Sequence, residues 1–262
     1  MTKERRGIQS IEVGGRLLTA LLAHGAPMTL KDLAAAAGMA PANAHPYLVS
    51  FGKLGLIEQP AGSSAYDLGP TALQLGLASL HRLNPVRLAI PEISALATAI
   101  GHTVALAVWG NRGATVVHLE ESSHPVHVNL RPGTVMSLLD SATGRVFAAY
   151  LPPKLAEQFI EGELRQLARG GEDALRPSWE QVEASLAKVR ARGIERAVGS
   201  PIPGVNALSA PVFDHTRSIV LAITTMGTVG GFDPAWDGAV AKALIECTTT
   251  LSRRLGYPGP AG

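Results

Sequence analysis

Residues 29–69, "TLKDLAAAAGMAPANAHPYLVSFGKLGLIEQPAGSSAYDLG", decide the fold. Thr29 is suited to cap a helix, with Asp32 three positions on as in a capping box. Leu30, Leu33 and Ala37 then face inward, and Gly38 supplies the left-handed stop. A second helix starts near Pro41, where proline fits the first turn, and carries Tyr47, Leu48, Phe51 and Leu54. Two short apolar pieces around Pro60, Gly62, Ser63 and Ser64 make a β-hairpin with a loose tip. Pro46 interrupts this scheme. It lies past the free first turn, where proline lacks a donor and clashes with the preceding turn, at a cost of about 3 kcal/mol. The expectation is a kink, or a helix that effectively begins later, near Ala44.

Upstream, "SIEVGGRLLTALLAHG" places Ile11, Leu18, Leu21 and Leu22 on one helical stripe, with Gly25 as the stop. Gly14 and Gly15 weaken its first turns by roughly 1 kcal/mol each relative to alanine. Helix, helix, helix and hairpin follow one another across residues 1–69. That is the winged helix–turn–helix plan of a DNA reader. Next, "PTALQLGLASLHRLN" repeats Leu73, Leu77 and Leu80 at helical spacing. We assign residues 70–84 to an amphipathic linker helix whose stripe docks on the first domain or on a second subunit.

From residue 85 the character changes. Residues 86–100 read as a helix ending at Gly101, and "TVALAVWGNRGATVVHLEE" reads as two strands around a tight turn. "PVHVNLRPG" reads as a third strand, and "DSATGRVFAAYL" starts a helix at a small-residue turn. One helix follows Pro153; another is capped by Ser178, with Gln181 three later, and runs to Gly193. "GVNALSAPVFD" and "SIVLAITTMG" are strong strands, and a last helix covers about 235–255 with Val240, Leu244, Cys247 and Leu251 on one face. Strands and helices mix without strict βαβ alternation. The fold class is α+β, with a mostly antiparallel sheet covered by helices over residues 85–262.

The totals agree with two domains. The chain has 262 residues, 46% hydrophobic and 17% charged, enough for a substantial core. A net charge of +2 neither demands nor excludes a polyanionic partner. The single cysteine, Cys247, fits a reducing compartment. "MTKERRGIQS" does not read as a signal peptide, and no apolar run reaches the roughly 18 residues of a membrane span. The expectation is a cytoplasmic protein with no membrane partner.

Enzyme signatures are missing: there is no G-x-G-x-x-G, Walker A, H-E-x-x-H or G-x-S-x-G. No cofactor is expected. His118, Glu120, His124 and His127 lie close in sequence, but their spacing is loose for a metal, which needs ligands converging at about 2 Å. A polar strand face near a pocket is the better reading. At "DSATGR", Ser141, Ala142, Thr143 and Gly144 open a helix where small residues let a ligand approach the free N–H groups and the dipole favours an anion. An ordinary capped helix start would look the same.

The order of elements resembles the IclR family of bacterial transcription regulators. So do "GGRLLTALLAHGAPMTLKDLAAAAGMAPANAHPYLVSFGKLGLIEQ" followed by "YDLG", and "SATGRVFAAYLP", "RARGIE" and "PGVNALSAPVFD". The resemblance spans Ser10 to Tyr257. It implies a winged-helix DNA reader joined to a GAF-like effector domain. It also implies homodimers that pair through the DNA domains and linker helix, homotetramers built as dimers of dimers, and a small-molecule effector. In the family the effectors are commonly short keto acids or monocyclic aromatic acids.

Carried over by position, the family's effector pocket falls on Ala142 and Thr143, whose N–H groups would hold a carboxylate. It continues on Val205 and Ala207 of one strand and on Thr224 and Met226 of the next, two apart and so on one side. An acidic contact of some members falls on Ala197, and a usual glutamate on Ser200, so the pocket is less polar than in the glyoxylate-type members. His127 and Asn129 are candidates for replacement hydrogen bonds. Trp109 joins the candidate set as a nearby aromatic, although such a strand tryptophan more often packs. The implied effector is a small aromatic or short-chain carboxylic acid or a derivative.

The reading helix also departs from the family. Pro46 stands where an arginine is usual, and Asn43 lies near an often basic position. The remaining candidate DNA contacts are Thr29 and Lys31 at a helix start, Asn43, His45 and Tyr47 on the reading helix, Lys53 at its end, and Arg5 or Arg6 in an N-terminal arm. Asn43 suits an adenine edge. Through residue 70 six basic residues face five acidic ones, a small excess for a DNA reader. The leading expectation is a repressor-type regulator on double-stranded operator DNA. The rivals are a ligand-binding regulator with weakened DNA contact that acts through protein partners, and an enzyme, which lacks a nucleophile–base constellation.

Overall fold

The computed structural model describes residues 7–121, 130–169 and 177–260. The chain divides into two compact units, one up to Leu83 and one from Asn84. In the first, α1 (Gln9–His24), α2 (Leu30–Ala36) and α3 (Pro41–Lys53) precede the antiparallel pair β2 (Ile57–Glu58) and β3 (Ala65–Leu68). A two-residue strand β1 (Met28–Thr29), not anticipated, pairs with β3 and extends the wing to the order β1-β3-β2. Leu17, Leu21, Leu33, Ala34, Ala44 and Leu48 form the core. Thr29 caps α2 by accepting from the Asp32 N–H at 3.3 Å, as its spacing implied. The linker helix α4 spans Pro70–Arg82.

Two expectations for this unit are corrected. Ile11 and Leu22 are 68% and 71% exposed; the buried stripe of α1 is Gly14, Leu17 and Leu21. Gly14 is a packing notch. A Cβ there would lie 2.8 Å from the Tyr47 ring and 3.1 Å from that of Phe51. Those two side chains turn α1 so that its small residue, not Ile11, faces α3. The second correction concerns Pro46. The helix does not begin near Ala44. α3 starts at Pro41, where the Ala40 carbonyl accepts from the N–H groups of Asn43 and Ala44 at 3.0 and 3.1 Å. Pro46 sits on the exposed side of α3, its carbonyl accepting from the Ser50 hydroxyl at 2.9 Å.

In the second unit, α5 (Pro85–Ile100) leads to β4 (Thr103–Gly110) and β5 (Gly113–Glu120). Then come α6 (Ala142–Tyr150), α7 (Pro153–Arg169) and α8 (Trp179–Arg192). β6 (Glu195–Val198), β7 (Val205–Phe213), β8 (Ile219–Thr228) and α9 (Ala239–Arg254) complete it. The five strands form one antiparallel sheet in the order β5-β4-β8-β7-β6. Strand alternation places Ala105, Ala207, Ser209, Thr224 and Met226 on one face, where α6 packs. Leu106, Leu208 and Ile223 point to the other face, covered by α5 and α9. β6 was not anticipated; it makes Ala197 a strand residue opposite Ala207. The strand expected at 125–133 falls largely outside the described residues.

Candidate functional site

The face of the sheet under α6 carries a small cavity of about 40 Å³. Ala142, Thr143, Val205, Ala207, Thr224 and Met226, six of the sequence-derived pocket positions, all line it. They come from three elements, and the antiparallel register brings Ala207 opposite Met226. Leu130, Met136 and Ile202 close the sides with apolar atoms, and Ala197 and Ser200 stand at the positions where the resemblance puts acids. Trp109 does not reach the cavity and is a correction. Its ring packs on Phe147 and Phe159 at centroid distances of 5.8 and 4.8 Å, in the core beneath α6 and α7. His127 and Asn129 lie outside the described residues, as does His124. His118 and Glu120 pair with each other at 2.9 Å.

The polar end of the cavity is the start of α6. Ser141 caps the helix by accepting from the Gly144 N–H at 2.9 Å. The N–H groups of Ala142 and Thr143 have no hydrogen-bond partner among the described residues. They are the unsatisfied donors of a helix's first turn, where an anion is stabilised. Below them the Thr143 and Thr224 hydroxyls meet at 2.7 Å, and Thr224 donates to Ser209 at 2.9 Å. All three are buried. With the Thr224 proton given to Ser209, Thr143 donates to Thr224, so its oxygen offers only lone pairs to a ligand.

Two residues that the sequence did not single out hold this site in shape. Glu163 on α7 accepts from the Ser137 hydroxyl and the Leu138 N–H, both at 2.8 Å, and from the Leu139 N–H at 3.3 Å. Arg145 donates to the carbonyls of Leu139 and Asp140 at 2.9 Å and to that of Arg196 at 2.8 Å, beside Glu195 at 3.4 Å. The turn before α6 is thus gripped from both sides, and Arg145 ties it to β6 and the cavity wall. Gly144 lets the turn fold back, since a Cβ there would collide with the Ser137 carbonyl. These partners lie 5 to 51 residues away, so no local pattern in the sequence marks them.

In the first unit, Lys31, Asn43, His45 and Lys53 are exposed around α2 and α3. Thr29 is exposed too, but its hydroxyl proton goes to the Asp32 carboxylate at 2.7 Å. Tyr47 is half-buried against Gly14, so its ring is engaged in packing. Arg5 and Arg6 lie outside the described residues.

A helix–turn–helix with a β wing, followed by an α+β domain on an antiparallel sheet, is the architecture of a DNA-binding transcription regulator. The chain belongs to the IclR family: residues 10–61 match the IclR helix-turn-helix domain, and residues 77–253 the bacterial transcriptional regulator IclR C-terminal domain. It is 31% identical over 255 residues to the glycerol operon regulatory protein of Streptomyces griseus, covering 96% of this chain and 98% of that protein. The HTH-type transcriptional regulator BhcR of Paracoccus denitrificans is 28% identical over 232 residues, 88% of this chain and 82% of its own. Among solved structures, that of Pseudomonas aeruginosa HmgR superposes with a TM-score of 0.86 at 36% identity, covering 97% of this chain and 100% of that one. The family and these relatives are transcription regulators, not enzymes. No helix of the described residues is long and apolar enough to cross a membrane.

Proposed function

We propose that this regulator is a repressor that senses a small carboxylic acid, aromatic or short-chain, in the cavity under α6. In this reading residues 1–69 read the operator, 70–84 link, and 85–262 bind the effector. Two chains pair through α4 on a pseudo-palindromic operator, alone or as half of a tetramer, in the cytoplasm. The supporting observation is the meeting of two unpartnered N–H groups with apolar walls in a chain that also carries the reading helix. The carboxylate sits at the N–H groups of Ala142 and Thr143, and the carbon skeleton lies along Met136, Val205 and Met226.

At about 40 Å³ the cavity holds one or two waters, far below the roughly 300 Å³ or more of a drug-sized site. An aromatic acid therefore requires Met136 and Met226, both flexible side chains, to swing aside. A short-chain acid needs less. Calorimetry with a panel of benzoates and short keto acids separates the two. Binding of glyoxylate alone overturns the aromatic reading, and binding of no acid at all overturns the carboxylate reading. The departures on α3 favour one second reading, a regulator with weakened operator contact that acts through protein partners. Ligand affinity without specific DNA retention is its signature. Replacing Pro46 by arginine supplies a phosphate or guanine contact and tightens operator binding in an anisotropy titration if α3 enters DNA; unchanged affinity favours the second reading.

A further inference from the structure

On α3 the core contacts are made by Ala44, Leu48 and Phe51. At about 100° per residue, the side directly opposite is the line Ala42, Pro46, Val49 and Lys53. All four are exposed, Val49 by 44%. The first three present carbon. Asn43 and Ser50 flank the line on one side and His45 on the other. Ser50 has given its proton to the Pro46 carbonyl. The side chains of Asn43 and His45 have no hydrogen-bond partner among the described residues. α3 has no arginine, so it lacks the fork that pairs with guanine O6 and N7.

A ridge of carbon at the centre of a reading helix has one complementary base edge in the major groove, the C5 methyl of thymine. We propose that α3 reads an A·T core by burying thymine methyls against Ala42, Pro46 and Val49, with Asn43 pairing to a flanking adenine. Pro46 is then a specificity-determining contact: an arginine in its place gains a phosphate and tightens binding overall, but loses the preference for thymine at that position. The proline ring adds to the ridge, and the donor it lacks would have pointed along the helix, not into the groove. Discrimination against G·C comes from the missing methyl and from buried carbon set against the cytosine amino group.

The proposal rests on α3 being the reading helix, and the test separates the two claims. The full chain is used to select from randomised duplexes, and the selected operator is titrated by anisotropy. The expected half-site has an A·T core. Replacing single core thymines by deoxyuridine, which removes only the methyl, weakens binding about fourfold per contacted methyl. Val49→Ala weakens binding to the thymine duplex and brings the thymine-to-deoxyuridine ratio towards one at a single position of each half-site. A thermal melt of that variant verifies its fold. A G·C core, or deoxyuridine tolerated at every position, overturns the methyl readout while leaving α3 as the reader. Selection of no sequence overturns the reader assignment, and the methyl readout with it.

Discussion

In the first unit α4 buries none of its residues, and Leu73, Leu75 and Leu77 are 64%, 61% and 45% exposed. In the second, α6 is of similar character yet buries seven of its nine residues between the sheet and α8. The contrast extends to polar groups. On α6 the hydroxyl of Ser141 caps, that of Thr143 joins a buried chain, and Arg145 satisfies three carbonyls. On α3 the side chains of Asn43, His45 and Lys53 face outward with no hydrogen-bond partner among the described residues. In the second unit the described residues bury α6 within one chain and leave the N–H groups of Ala142 and Thr143 open at the cavity. The first presents an apolar stripe and an unpaired reading face, which a second copy and a duplex would cover. In the proposed reading, one half closes around a small molecule and the other is completed by a second copy and a duplex.

The contrast breaks most sharply at α4. Replacing Leu73 and Leu77 together by glutamate is expected to yield monomers in sedimentation. Operator affinity should fall by about a hundredfold or more, because two reading heads no longer share an effective concentration. The second unit should melt as before. Dimers of unchanged affinity would show that the stripe is covered in some other way.

Arg145→Met tests the closed half. Arg145 and Glu195 are only 17% and 11% exposed, so the change leaves three carbonyls without the guanidinium and Glu195 without its cation, held only by the Arg196 N–H at 2.9 Å. A loss of about 3 kcal/mol in the second unit is expected by chemical denaturation. A change within 0.5 kcal/mol, the scatter of ordinary surface substitutions, would mean that water replaces the guanidinium. Thr224→Val is milder. It removes the hydroxyl between Thr143 and Ser209 and should cost about 2 kcal/mol, again with no effect on the first unit.

The smallest effect concerns Cys247. Burial, and then the nearby Glu92 charge, push its thiol up to about 11. The folded state therefore holds this proton more tightly than the unfolded one. Stability from this group is fully present below pH 9 and declines as pH rises from there towards 11. Alkylation by iodoacetamide at pH 8 should run at least about tenfold slower than in denaturant. Equal rates would contradict the burial of the thiol.

Much of this was legible in the sequence, and the gaps have physical reasons. Caps and stops are local, so Thr29, Ser178, Gly25 and Gly101 marked helix ends correctly. The resemblance supplied Ala142, Thr143, Val205, Ala207, Thr224 and Met226, with two-residue alternation putting the last two on one side, whereas Leu130, Met136 and Ile202 were not foreseen. What failed depends on partners distant in sequence. Gly14 read as a weak helix residue because nothing local says that Tyr47 needs the space. Periodicity alone cannot tell Leu17 from Leu18 as the centre of a stripe. β6 is four residues long, too short for a pattern, and is defined by its pairing with β7. Arg145 and Glu163 are ordinary polar residues on helices until the fold brings the 137–141 turn between them.

The most direct test of the account joins its two halves in one titration. Operator affinity is measured by anisotropy with and without the tightest-binding acid of the benzoate and keto-acid panel, for the natural chain and for Ala207→Leu, whose larger side chain occupies the cavity. The account predicts a shift of at least about fivefold in the natural chain, an equal shift of acid affinity by DNA, and neither in the variant. An acid that binds in the cavity and leaves operator affinity unchanged, or a shift that persists with the cavity filled, would contradict it.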